Sequence, residues 1–106
     1  MLAYSNRALI RFARRDLDGA LADLNEAQRL KPSADTLVLR GHVHLHKEAP
    51  DEAIRDFTEA IRMEPRNAPA FYLRGFGFQA RGEDARAQDD FKEALRLDPD
   101  VAKRFQ

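Results

Sequence analysis

The sequence predicts an all-α protein in which one helix-turn-helix unit is written three times. Three observations carry this reading. Pro32, Pro65 and Pro99 fall 33 and 34 residues apart, each closing an amphipathic stretch. Ahead of each proline the same small–large–small pattern recurs: Ala20, Leu24 and Ala27, then Ala53, Phe57 and Ala60, then Ala87, Phe91 and Ala94. Spacings of four and three residues place each trio on one helix face. No segment alternates strictly between apolar and polar residues, so no strand is expected.

The elements follow in order. Residues 2–14 form the first helix. The second starts at Asp16 or Leu17 and runs to Leu30, before Pro32, which lacks an N–H and clashes with the preceding turn. Ser33 is an N-cap for a third helix over 34–47. Pro50 opens the fourth, where a missing N–H costs nothing, and Asp51 and Glu52 suit the positive end of its dipole. That helix ends near Met63. Asn67 caps the fifth helix, with Pro69 in its first turn, and Gly82 supplies the left-handed residue that ends it. The sixth covers 84–97. Asp100 then caps a short stub, and Phe105 fits the register of Tyr4, Leu37 and Phe71, the bulky wedge of each first helix. By that register the chain is read as a piece of a longer array. Ala8, Gly41 and Gly75 recur four residues after the wedges, where a minimal side chain lets two backbones approach.

Composition narrows the function classes. Lys plus Arg equals Asp plus Glu, 18 each, so the net charge is zero. Nucleic acid and anionic membrane surfaces are therefore not expected partners. With no cysteine, disulfides, thiolate metal sites and cysteine nucleophiles are out. No apolar run is long enough to span a bilayer. The N-terminus lacks a basic start followed by an apolar core, so no signal peptide is expected. Only these two absences favour the cytoplasm.

The three trios, the prolines and the Ala8/Gly41/Gly75 slot together resemble the tetratricopeptide repeat, over residues 1–33, 34–67 and 68–101, with a stub helix at 102–106. A tyrosine is usual in the first helix where Arg11 and His44 stand, and only Phe78 is aromatic there, so looser packing is expected beside Arg11 and His44. The resemblance implies a right-handed α-solenoid whose first helices line a concave groove. It also implies a scaffold or adaptor that binds a peptide or protein, with neither catalysis nor a cofactor. Some members hold a chaperone's C-terminal carboxylates with a clamp of Lys, Asn and Arg. Ser5, Leu9, Leu39, Pro69 and Leu73 occupy those places, so no carboxylate-clamp chaperone binding is expected.

Helical spacing puts Leu2, Ser5, Leu9 and Phe12 on the groove side of the first repeat. Asp35, Val38, Leu39, His42, Leu45 and His46 follow from the second, and Pro69, Tyr72, Leu73, Phe76 and Gln79 from the third. An apolar patch of this kind marks an interaction site for an amphipathic helix or apolar peptide. Leu9, Phe12, Val38, Leu39, His42, Tyr72, Leu73 and Phe76 are the expected partner contacts. The alternative is self-assembly into a homo-oligomer through the repeat ends or the groove. Arg7, Arg40 and Arg74 also recur at the repeat period, each sixteen residues before Asp23, Asp56 or Asp90. An arginine row can recognise an anion, but matched carboxylates favour structural ion pairs, since a buried Arg needs a fixed acidic partner. His42 and His46 lie one turn apart and could chelate a metal. Two ligands make a poor site, so no metal is expected. No phosphate loop, activated serine or convergent carboxylate pair suggests catalysis.

Overall fold

A computed structural model describes the backbone of residues 2–105 and the side chains of residues 4–105. Six α-helices follow one another: α1 Leu2–Ala13, α2 Leu17–Leu30, α3 Ala34–His46, α4 Pro50–Met63, α5 Ala68–Ala80 and α6 Asp84–Leu97. A 3-10 helix, Val101–Phe105, closes the described chain. No strand occurs among the described residues. The helices pack as sequential hairpins, α1 on α2, α3 on α4 and α5 on α6, and each hairpin stacks on the next.

Local chemistry sets the boundaries. Asp16, Ser33 and Asn67 each accept from a backbone N–H three residues on, Gly19, Thr36 and Ala70, at 3.0–3.1 Å. These bonds satisfy donors that a helix start leaves unpaired. Pro50 opens α4 without a side-chain cap. Inside every hairpin the turn is the same. Arg15, Glu48 and Gly82 adopt φ of 66°, 58° and 78°, and the next N–H reaches back five residues: Asp16 to Arg11 O, Ala49 to His44 O and Glu83 to Phe78 O, at 2.8–2.9 Å. This is the αL stop that ends many helices. Only the third turn uses the residue best suited to it.

The cores link neighbours. Ala8, Ala20 and Leu24 meet Val43 of the second hairpin. Ala34, Leu37 and Ala60 meet Ala70 of the third. Ala68 and Ala94 are closed by Val101. At the slot positions the helices touch closely: a Cβ on Gly41 would sit 2.6 Å from Phe57, and one on Gly75 2.4 Å from Phe91. Ala8 faces the smaller Leu24.

Two expectations are sharpened by the structure. The stub helix after Pro99 is present, wound as a 3-10 helix: Val101 N–H bonds Asp98 O, and Lys103 N–H bonds Asp100 O, both i→i−3. The cap is also shifted, since the Asp98 side chain accepts from Asp100 N–H. The polar slots at Arg11 and His44 face the buried aspartates of the partner helices. Arg11 Nη1 lies 3.6 Å from Asp23 Oδ2 and donates to Gly19 O, while His44 Nε2 lies 3.9 Å from Asp56 Oδ2.

Candidate peptide groove

The first helix of each hairpin lines one face of the stack. A cleft of about 550 Å³ opens there between α1 and α3, walled by Leu9, Phe12, Val38, Leu39 and His42. Asn67, Pro69, Arg104 and Phe105 close its far side. A smaller cleft of about 270 Å³ continues between α3 and α5, walled by His42, Leu45, His46, Leu73, Phe76 and Phe105. His42 and Phe105 border both. Leu9 is 52% exposed and Phe76 41% exposed, large apolar side chains facing solvent on one side.

Aromatic rings run along the trough. Phe12 meets His42 and His46 edge-on at 5.1 and 5.0 Å. His42 meets Phe105 at 5.6 Å, Phe105 stacks on Tyr72 at 5.6 Å, and Tyr72 meets Phe76 at 5.1 Å. These separations suit edge-to-face and offset contacts between rings. Burial, and then the neighbouring His46, push the His42 imidazole down to about 4. It is neutral at physiological pH and behaves as one more ring. Burial also lowers His44, against the opposing pull of Asp56. Among the described residues no three His, Asp or Glu side chains converge as a metal site would require.

The expected contacts are not equivalent. Leu9, Phe12, Val38, Leu39 and His42 share the larger cleft, and Phe76 faces the smaller. Tyr72 lies beneath Phe105. Leu73 is the most enclosed of them: it floors the smaller cleft, is 3% exposed and packs with Ala53 and Phe57. The Leu2 side chain lies outside the described residues. Sequence reasoning missed Phe105, Arg104 and Asn67 as groove walls.

The arginine row is held away from the trough. Arg40 and Arg74 each give two hydrogen bonds of 2.8 Å, Nε and Nη2, to Asp56 and Asp90. Arg7 grips Asp23 with Nη2 at 2.7 Å and Nε at 3.1 Å. Asp23, Asp56 and Asp90 are all buried. Forked geometry is the strong form of this contact. The fork also reaches backward. Arg40 Nη1 donates to Asn25 Oδ1, and Arg74 Nη1 to Thr58 Oγ1, each on the preceding hairpin. Arg7, Arg40 and Arg74 are thus each held by a carboxylate of the protein.

A family model, the tetratricopeptide repeat, matches residues 34–67. The human tetratricopeptide repeat protein 6 is 28% identical over 99 residues, 93% of this chain and 19% of that protein. A DnaJ homolog subfamily C member 7 homolog of Schizosaccharomyces pombe is 31% identical over 104 residues, 93% of this chain and 22% of that protein. The second tetratricopeptide domain of Spaghetti (RPAP3), solved with the HSP90 peptide SRMEEVD, superposes with a TM-score of 0.88 at 22% identity, over 92% of this chain and 91% of that one.

The chain is a tetratricopeptide repeat protein.

Its helices build the right-handed α-solenoid of that family, and the matched segment coincides with the second hairpin. The chain spans about a fifth of the length of these two curated relatives. Members of the family generally serve as non-catalytic interaction modules. No helix of the described residues is long and apolar enough to cross a membrane.

The comparison overturns one expectation about partners. Carboxylate-clamp chaperone binding was excluded from the identities of Ser5, Leu9, Leu39, Pro69 and Leu73. A tetratricopeptide domain of the same backbone geometry holds an HSP90 peptide. Five side chains are too few to decide the matter, because a peptide in a trough meets the whole wall. Leu73 lies almost wholly buried at the floor of that trough, while Asn67 and Arg104 stand at its wall.

Proposed function

We propose that this repeat protein works by binding, seating an apolar peptide or amphipathic helix of a partner in its concave trough. The cleft of about 550 Å³ between α1 and α3 is the observation that carries the reading. Leu9, Phe12, Val38, Leu39 and Phe105 give it an apolar lining, polar residues such as Ser5, Asp35 and Asn67 border it, and Leu9 stands half exposed at its edge. Apolar surface left open on a concave face, with few polar groups in it, is the usual chemistry of a ligand groove. Peptide-bound tetratricopeptide domains of the same fold add support. The contacts assigned to the partner are Leu9, Phe12, Val38, Leu39, His42 and Phe76, with Tyr72 reached after displacement of what covers it. The paired arginines and aspartates carry the scaffold and take no part in recognition.

Selection of a random peptide library displayed on phage tests this. Enriched peptides are expected to carry Leu, Met or aromatic residues at helical spacing. Leu39→Asp combined with Phe76→Asp is expected to weaken them by more than about tenfold, as removal of central anchors does, with helix content unchanged by circular dichroism. A folded double variant that keeps full affinity for the selected peptides overturns the groove.

A further inference from the structure

The segment Val101–Phe105 is anchored by Val101 and held by fewer contacts after it. Val101 is wholly buried against Ala68 and Ala94, so it belongs to the core of the third hairpin. The polar contacts that follow are superficial. Lys103 lies 3.5 Å from Asp100 with both side chains largely exposed, and Arg104 lies 2.9 Å from Asp98 with the arginine 61% exposed. Exposed pairs of this kind contribute little. Phe105 therefore does most of the holding. Its ring stacks on Tyr72 at 5.6 Å and 28°, and presents an edge to His42 at 5.6 Å and 83°. Beneath it lies the cluster of Ala53, Phe57 and Leu73. The same ring walls both clefts, so with His42 it divides an otherwise continuous trough.

Building on the groove reading above, we propose that Phe105 is an intramolecular occupant of an aromatic slot in the trough. A partner that engages the whole groove brings an aromatic side chain of its own to that slot and displaces Phe105. The walls of the slot set this chemistry. Tyr72 offers a face on which an entering ring stacks, and His42 meets that ring at right angles, contacts an aliphatic side chain would not use. The charged groups of the adjoining cleft, Asp35 and Arg104, lie outside the ring contacts of Phe105 itself, and Arg104 is paired with Asp98. The hinge is also defined: Val101 stays in the core while residues 102–105 swing, so displacement does not open the third hairpin. Occupation by the chain's own segment lowers the apparent affinity for a partner by the fraction of time the slot is free.

The test uses the 106-residue chain, followed by NMR, with two probes: the acetylated peptide VAKRFQ and its counterpart with alanine in place of the phenylalanine. Phe105→Ala is expected to bind the first peptide with shifts at His42 and Tyr72. Its affinity should exceed that of wild type by about tenfold, as follows if the slot is free about a tenth of the time. The alanine peptide is expected to bind neither protein. Phe105→Leu, which keeps apolar bulk over the core, should fall between the two and guards against a folding defect in the alanine variant. Equal affinity of wild type and both variants for VAKRFQ, no binding to any of them, or equal binding of the alanine peptide would overturn the proposal. The phage-selected peptides separate the two readings. If they bind wild type and Phe105→Ala alike yet lose affinity with Leu39→Asp, the groove stands and the displaced-ring idea falls. If they ignore Leu39→Asp, the groove itself falls.

Discussion

Gly41→Ala tests how closely α3 and α4 depend on a missing side chain. The added Cβ would lie 2.6 Å from Phe57 Cε1 and 2.8 Å from Cζ, well inside van der Waals contact. Phe57 is wholly buried. Its ring cannot swing away, so the helices must part or the ring must leave its rotamer. Overpacking of this sort costs about 1–3 kcal/mol. The exchange of glycine for alanine inside a helix offsets about 1 kcal/mol of that. The net expectation is a loss of about 1 kcal/mol, or several degrees in Tm for a domain of this size. The first hairpin shows the remedy, because Ala8 there packs with Leu24. Gly41→Ala combined with Phe57→Leu copies that pairing into the second hairpin. The double variant should exceed the sum of the single changes by about 1–2 kcal/mol, the coupling expected of residues in contact. Urea denaturation followed by far-ultraviolet circular dichroism measures all three. Gly75→Ala is the control. Its Cβ would come closer, 2.4 Å from Phe91, but Phe91 is only half-buried and can rotate outward. The smaller cost is therefore expected at Gly75, although distance alone ranks the pair the other way. A neutral Gly41→Ala, or single changes that simply add, would refute the argument.

Three further outcomes are expected. Arg40→Met leaves the buried Asp56 without its forked partner and should cost about 3–5 kcal/mol; adding Asp56→Leu should recover much of that loss in the same denaturation assay, and a single variant no worse than the double would remove the pairing. Glu48→Gly relieves a side chain held at φ 58° and should raise stability by up to about 1 kcal/mol, read as a higher urea midpoint. His42 titrates in the fold at about 4, below its ordinary value. The fold thus prefers the neutral ring, and this contribution is fully present above the ordinary value and lost as pH falls toward 4. His42→Phe should flatten the acid loss of stability over that window, and an unchanged pH profile of Tm would contradict the assignment.

What the sequence made legible, and what it hid, follows from the range of each signal. Pro32, Pro65 and Pro99 stop helices by their own covalent geometry, and Ser33 and Asn67 cap by bonds three residues long. Such features can be read one stretch at a time. The sixteen-residue offset from each arginine to its aspartate is also visible, because one hairpin fixes it. The hydrogen bonds from Arg40 to Asn25 and from Arg74 to Thr58 cross between hairpins, and no spacing within a single repeat announces them. Arg15 and Glu48 take the same left-handed turn as Gly82, but their side chains carry no signal of it. The tertiary stack imposes that conformation.

Phe105 was misread for a different reason. Its distance of 34 residues from Phe71 is a true period, but a period assigns a face only if the winding is unchanged. A 3-10 helix turns about 120° per residue, against about 100° for an α-helix. Over the four residues from the buried Val101, the difference accumulates to roughly 80°. That rotation separates a wedge between helices from a ring laid across the trough. The register was read correctly and the face was not. The side chain that walls both clefts is thus the one whose place depends on a change of helix type that the repeat pattern does not encode.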